Sequence, residues 1–164
     1  MSDPLTVDWI EKIKADQDTE ARLIQEHSQY CILAEALAKA EGPDCFERVL
    51  KEIQFQAIAS AKIGAAVTVS EVSRPADKEA NNHVFRIDVR SKFGYASTTY
   101  LDLSYVKGSF RIRCFPRDAA SFDIDLRPDR QGRLVMIGPT GELETGAKTA
   151  SLILAPLVRS VLGR

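Results

Sequence analysis

Apolar side chains in the first part of the chain recur with the spacing of amphipathic helices. The first helical region covers about residues 5–41, and a polar run from Lys14 to Glu20 interrupts its apolar stripe. This region fits either one long helix or two collinear pieces, the second of which Asp18 or Thr19 could cap. The dipeptide Gly42-Pro43 then predicts a helix end, because Gly accepts the left-handed conformation and Pro suits the first turn of a following helix. The second helix covers about residues 44–63. The pattern therefore predicts two N-terminal helices within residues 1–63.

The period of the apolar positions changes to two after Ala66, which is typical of strands with one buried face. Turn residues divide residues 66–137 into six segments, so the sequence predicts a six-stranded antiparallel meander sheet. The first strand contains Val67 and Val69, and the others are Val84–Arg90, Ala96–Val106, Ser109–Phe115, Ser121–Arg127 and Arg133–Ile137.

The charged side chains of these segments predict how the strands pair. If Lys107-Gly108 forms a two-residue turn, Asp102 lies opposite Arg113. If the next hairpin closes symmetrically, Arg113 lies opposite Asp123, so opposite charges meet across one sheet face. The same registers form three apolar rows on the other face, which are Phe85, Leu101, Cys114 and Phe122; Leu103, Ile112, Ile124 and Met136; and Tyr105, Phe110, Leu126 and Leu134.

The C-terminal segment predicts a helix within residues 142–162 that begins at Glu142 or after Thr145, with Leu152, Ile153 and Leu157 on its apolar face. Pro156 lacks a backbone N–H group and is expected to kink this helix or to split it. An apolar helix face and an apolar sheet face bury each other, so we expect the helix to pack on one face of the sheet. The sequence therefore predicts a single α+β domain over residues 1–164.

Length and composition are those of an ordinary folded protein. A chain of 164 residues can bury one core, and its 45% apolar and 27% charged residues argue against a disordered or fibrous class. No segment approaches the roughly 18 consecutive apolar residues that a membrane span requires. Three widely spaced cysteines without a CxxC pair, and an acidic N-terminus without an export signal, favour a cytoplasmic protein with free thiols.

Charge is distributed unevenly along the chain. Residues 1–63 hold 12 acidic and 7 basic side chains, whereas residues 84–133 hold 6 acidic and 10 basic ones. The candidate contacts for an anion or for single-stranded nucleic acid on this basic sheet are Arg86, Tyr100, Arg111 and Arg113. The segment KGSFRIRCF, residues 107–115, resembles the aromatic strand of RNA-recognition domains, but those domains place helices between their strands and this chain does not. The acidic side chains opposite these arginines argue against nucleic-acid binding.

No motif in the sequence predicts a catalytic group, a metal site or a cofactor. The signatures of dinucleotide-binding, P-loop, zinc-protease and serine-hydrolase sites are missing. His27 and Cys31 lie four residues apart on one helix face, but a metal site needs three or four ligands. Because His27 lies on the apolar stripe, we predict that it is buried and hydrogen-bonded instead. The missing signatures favour a non-enzymatic role.

Two classes of function are therefore favoured. The first is an interaction or accessory protein that forms a homodimer through its N-terminal helices, because the first helical region is longer than a six-stranded sheet requires. Trp9, Ile10 and Ile13 are its candidate contacts. The second is a protein or enzyme that binds a small apolar ligand between the sheet and the C-terminal helix, since the order of elements resembles that of helix-grip ligand-binding domains. The residues predicted to line this cavity are Phe85, Tyr105, Phe110, Met136 and Leu157.

Overall fold

The structure, a computed structural model, describes residues 4–93, 97–143 and 146–164. It confirms the predicted α+β class, with a long N-terminal helix, an antiparallel sheet and a C-terminal helix. The helices are α1 (Pro4–Lys62), α2 (Pro75–Glu79) and α3 (Gly146–Leu162). The strands are β1 (Ala65–Glu71), β2 (Asn82–Ser91), β3 (Thr98–Val106), β4 (Arg111–Pro116), β5 (Phe122–Pro128), β6 (Leu134–Gly138) and β7 (Gly141–Leu143).

The chain divides into two compact units, Met1–Ala34 and Glu35–Arg164. The described part of the first unit consists of the beginning of α1. The second unit contains the remainder of α1, the sheet, α2 and α3. The single domain that the sequence suggests stays a prediction.

One helix, α1, occupies the region for which the sequence predicts two helices. Gly42 and Pro43 lie inside it, although an interior Pro removes a helix hydrogen bond and Gly weakens a helix by roughly 1 kcal/mol. Gly42 has a different role, because a Cβ atom at this position would lie 2.5 Å from the Tyr105 hydroxyl. The glycine therefore allows a close approach between α1 and the sheet instead of ending a helix. Ala38 and Phe46 on either side of it are buried, and this packing offsets the weakened hydrogen bonding.

The strands form one meander in which each strand pairs antiparallel with the next along the chain. The sequence predicts six strands, because its pattern places Glu142 either at the start of the C-terminal helix or in the loop before it. Glu142 instead lies in β7 opposite Ile137, and the helix begins at Gly146. Gly141, with a φ of 133° that suits glycine, turns the chain from β6 into this seventh strand. Ala96, the predicted start of the third strand, lies outside the described residues.

Strand register is confirmed between β4 and β5, where Arg111 lies opposite Asp125 and Arg113 lies opposite Asp123. The pairing of β3 with β4 is shifted by two residues from the prediction, because Arg113 lies opposite Ser104 on its other side. Shifts of the same size occur between β2 and β3 and between β5 and β6. Because successive side chains of a strand point to opposite faces, a shift of two residues leaves the side chains on their predicted face.

The turn after β3 explains the shift between β3 and β4. The prediction requires a two-residue turn at Lys107-Gly108, but β3 ends at Val106 and β4 begins only at Arg111. The N–H of Ser109 donates to the carbonyl of Val106 and closes this longer turn. Phe110 falls in the turn, so its predicted place in a buried apolar row is wrong, and its side chain is exposed.

The inward face of the sheet forms the core of the second unit. Helix α1 contacts the sheet there, because the ring of Phe46 on α1 stacks on the ring of Tyr105 on β3 with centroids 4.8 Å apart. Of the other sheet side chains that the alternation predicts to be inward, Phe85, Phe122 and Leu134 are partly buried against the core. The fully buried ones are Leu101, Leu103, Ile112, Cys114, Ile124, Leu126 and Met136.

The C-terminal helix α3 packs on this same face, as predicted. It buries Ile153, Leu154 and Leu157 in the core. Pro156 lies inside α3 without splitting it, because the apolar residues on both sides of the proline are held by the core. Of the two effects expected of Pro156, the splitting of the helix therefore does not occur.

We expect Gly42→Ala to destabilise the second unit by about 1 to 3 kcal/mol, the usual cost of inserting a methyl group into a filled core. The new Cβ atom would meet the Tyr105 hydroxyl, and the buried Tyr105 ring cannot move away freely. Urea denaturation measures the change. The second substitution Tyr105→Phe should recover part of the loss, because it removes the atom in the way.

Gly146→Ala is the matched control for this experiment, since a Cβ atom there would meet its nearest neighbour at an ordinary 3.5 Å. An equal loss of stability in both alanine variants would contradict the close-approach explanation.

Candidate functional site

Six large apolar side chains are exposed along one side of α1 in the first unit, apart from Ile32 and Leu33, which are exposed on its other sides. We call them the N-terminal apolar stripe, which consists of Trp9, Ile10, Ile13, Leu23, Ile24 and Tyr30. Their exposed fractions reach 56% at Trp9 and 64% at Ile24. An amphipathic helix in a folded protein normally buries such a stripe. The stripe therefore has the composition of a contact surface.

The first unit has little else to stabilise its helix. All side chains from Asp8 to Leu33 are exposed. The side-chain ion pair between Arg22 and Glu26 has an N–O distance of 3.7 Å and is exposed, so it adds only about 0.3 to 0.5 kcal/mol. Most helical stability in proteins comes from packing of an apolar face. A partner on the stripe would supply this packing.

His27 and Cys31 lie on the same side of α1 as the stripe. The prediction that His27 is buried is wrong, because both side chains are exposed and the His27 Nε2 atom lies 3.6 Å from the Cys31 Sγ atom. Nowhere in the described residues do three His, Cys, Asp or Glu side chains lie close enough together to hold a metal ion. His27 and Cys31 thus add two polar side chains to an otherwise apolar surface.

The outward sheet face carries the residues predicted to contact anions. Arg86 forms a bidentate hydrogen bond with Asp102, at 2.8 and 3.0 Å, and lies 4.1 Å above the ring of Tyr100. This hydrogen bond raises the pKa of Arg86 above its usual value. The structure therefore brings Arg86 and Tyr100 together. The guanidinium N–H groups that could bind a phosphate already donate to the carboxylate of Asp102.

Arg111 and Arg113 lie on the same face, two residues apart. Arg111 binds the carboxylates of Asp125 at 3.1 Å and Asp123 at 3.4 Å. Arg113 forms no ion pair within the described part of the chain, although it faces Asp123 across the strands. A nucleic-acid backbone on this surface would have to compete with several carboxylates for the same guanidinium groups.

The five residues predicted to line one cavity are not brought together. Phe85 and Tyr105 line a groove of about 260 Å³ beside α1, together with Phe46. Met136 is buried and accepts a hydrogen bond from Thr149. Phe110 is exposed and lies in the turn directly before β4. Leu157 belongs to the same core as Tyr105 and Met136 but lines a different groove, which runs along α3.

We call this second depression the α3 groove. It has a volume of about 260 Å³ and separates α3 from the loop between β4 and β5. At one end the Thr99 hydroxyl donates a 2.7 Å hydrogen bond to Asp118. The residues lining it are Thr99, Leu101, Pro116, Asp118, Ala119, Ala120, Phe122, Leu152, Ile153, Pro156, Leu157 and Ser160. Most of these were missed from the sequence, which gives no sign that this loop lies beside α3.

Comparison with known proteins adds no candidate function. No protein-family model matches the chain, and no curated protein or solved structure is significantly similar to it. Within the described ranges, no helix combines the length and apolar character required to cross a membrane. The candidate functions of this chain therefore follow from its surfaces alone.

We expect one thiol of the folded protein to react rapidly with Ellman's reagent at neutral pH. Cys31 is exposed, whereas Cys45 and Cys114 are buried. Burial raises the pKa of both buried thiols, to about 12 for Cys114, so little of the reactive thiolate forms. Cys31→Ser should remove the rapid phase, and unfolding in urea should expose the other two thiols. A rapid phase that survives in Cys31→Ser would contradict this assignment.

Proposed function

We propose that the protein is a non-enzymatic interaction protein of the cytoplasm that forms a homodimer through the N-terminal apolar stripe. The exposure of six large apolar side chains on one side of a single helix is the observation that carries this proposal. Exposed apolar patches rimmed by polar residues commonly mark protein contacts. A reducing compartment suits the exposed thiol of Cys31, which lies beside the stripe.

Burial of the stripe is the driving force that we propose for association. Removing a large apolar side chain from water contributes about 1.5 to 3 kcal/mol. Trp9 and Tyr30, at the two ends of the stripe, belong to the residue types that most often dominate binding energies. The stripe side chains are already partly buried in the single chain, so each of them gains less than this on association. Six of them from each copy act against a cost of bringing two chains together that is of the order of 4 to 15 kcal/mol.

A second copy of the chain is the partner that the stripe favours. Its apolar residues form two clusters, one ending at Ile13 and the other beginning at Leu23, and a polar segment separates them. Two identical helices can match apolar cluster to apolar cluster and polar segment to polar segment. A partner with a different sequence would need the same order of an apolar cluster, a polar segment and a second apolar cluster.

Binding of a small apolar ligand in the α3 groove is the second candidate function. The groove has apolar walls at Leu152 and Leu157 and a polar end at Thr99 and Asp118. Small-molecule sites commonly combine apolar walls with a few polar groups in this manner, and the volume lies just below their usual range of about 300 to 1,000 Å³. The ligand class that fits is a short aliphatic chain with one hydrogen-bonding head group.

We expect the protein to sediment as a dimer at micromolar concentration, and Ile24→Asp to raise the dimer dissociation constant at least tenfold. Such a change corresponds to about 1.4 kcal/mol, less than the burial of one Ile contributes. Analytical ultracentrifugation over a concentration series measures it. Circular dichroism of each variant checks that the second unit stays folded.

Gln29→Asp is the matched control for the association experiment, because it adds the same charge on the side of α1 away from the stripe. Its dissociation constant should remain within about threefold of that of the unchanged protein, since exposed substitutions outside an interface usually change free energies by less than about 0.5 kcal/mol. A strictly monomeric protein, or an equal rise of the dimer dissociation constant in both variants, would contradict the proposed function.

For the second candidate, we expect 1-octanol to shift the methyl NMR resonances of Leu152 and Leu157, which line the α3 groove. Ala119→Phe should abolish these shifts because its ring fills the groove, whereas Ala76→Phe on the exposed surface of α2 should preserve them. Shifts that persist in Ala119→Phe would place the ligand elsewhere, and no shift in the unchanged protein would exclude octanol binding in the groove.

A further inference from the structure

Residues at alternating intervals of three and four form a line along the stripe. This line runs through Ile10, Ile13, Gln17, Glu20, Ile24 and His27, all of which are exposed in the first unit. Residues with this spacing lie on one side of a helix and form the contact line between two paired helices. Side chains on the line therefore face each other when two copies associate.

The order of residue types along this line is nearly the same in both directions. Reading outward from its midpoint, which lies between Asp18 and Thr19, the first pair of positions is polar and the second pair is apolar. Gln17 and Glu20 form the polar pair. Ile13 and Ile24 would form the apolar pair on its two sides. This symmetry is the pattern that an antiparallel pair with a twofold axis at the midpoint requires.

Antiparallel pairing places apolar residues of one copy against apolar residues of the other. Ile13 then lies opposite Ile24 of the second copy. At the border of the contact, Trp9 lies beside Tyr30 of the second copy, which forms an aromatic pair. Ile10 of one copy meets the ring of His27 of the other. The two clusters of each copy thus cover the opposite clusters of the other.

The charged residue on the line distinguishes the two orientations. A parallel pair in register would place Glu20 directly against Glu20 of the second copy, and two carboxylates facing each other repel. An antiparallel pair places Glu20 against Gln17, whose amide group can donate a hydrogen bond to the carboxylate. The repulsion is replaced by an attraction at two places related by the twofold axis.

We infer that the two copies associate through their N-terminal helices in an antiparallel arrangement whose twofold axis passes between Asp18 and Thr19. This inference rests on the proposed function, because it specifies the geometry of the same contact. It names a second copy of this chain as the occupant of the stripe and assigns each apolar cluster a defined counterpart.

Disulfide trapping tests the orientation. In a Cys31→Ser background, we compare Ile13→Cys alone, Ile24→Cys alone and an equimolar mixture of the two variants, oxidised by copper phenanthroline at a concentration where sedimentation shows dimers. The mixture should form the cross-linked dimer at least tenfold faster than either variant alone. In the antiparallel pair, residue 13 of one copy lies about 16 Å along the axis from residue 13 of the other, beyond the reach of a disulfide.

Ile10→Cys and His27→Cys provide a second pair, because replacing His27 removes no apolar side chain from the contact. Their mixture should again react faster than either variant alone. Asp18→Cys, on the side of α1 away from the stripe, measures the rate of cross-linking by random collision.

The outcomes separate the inference from the proposed function. Rapid self-cross-linking of Ile13→Cys and of Ile24→Cys would establish a parallel pair, which overturns the inference and leaves the homodimer standing. Rates no faster than that of Asp18→Cys in a sedimenting dimer would place the contact elsewhere and overturn the inference. A monomer in sedimentation would overturn both.

Discussion

The unequal polarity of the two sheet faces is the constraint on which the second unit depends. Leu101, Leu103 and Tyr105 on β3 point inward and are buried, while Asp102 between them points outward to Arg86. The inward face has to be covered, and α1 and α3 cover it. The outward face needs no cover because its charged groups neutralise one another across the strands. The sheet therefore determines where both helices pack.

Sequence reasoning predicted the sheet faces better than the pairing of its strands. Alternation of apolar and polar residues determines which side of a strand is buried, and that signal is clear in strands such as β3, β4 and β5 taken separately. The pairing depends also on turn lengths, which alternation does not encode. The turn containing Phe110 is longer than predicted, so neighbouring residues shift by two while their faces stay correct.

Gly42 and Pro43 show a similar limit for helices. Their types predict a helix end on local grounds, yet α1 continues through them. The reason is tertiary, because the place of Gly42 is defined by the hydroxyl of Tyr105, which lies more than 60 positions further along the chain. A local rule cannot contain such a distant contact.

The candidate surfaces differ in how far the sequence could predict them. The N-terminal apolar stripe is visible from helical spacing alone, since all of its residues lie on one element. The exposure of the stripe cannot be predicted from helical spacing, and for this reason the predicted burial of His27 is wrong. The α3 groove depends on the position of Asp118 and its neighbours relative to α3, two segments that share no sequence pattern.

The lengths of the two edge strands have a consequence for how the sheet meets other chains. Among the described strands, β7 forms one edge with three residues, and β1 forms the other with seven. An edge strand offers its unpaired backbone N–H and C=O groups to any extended segment, and a short strand offers few of them. Growth of the sheet by an added strand is therefore restricted at β7, and β1 is the edge at which an extended peptide could continue the meander.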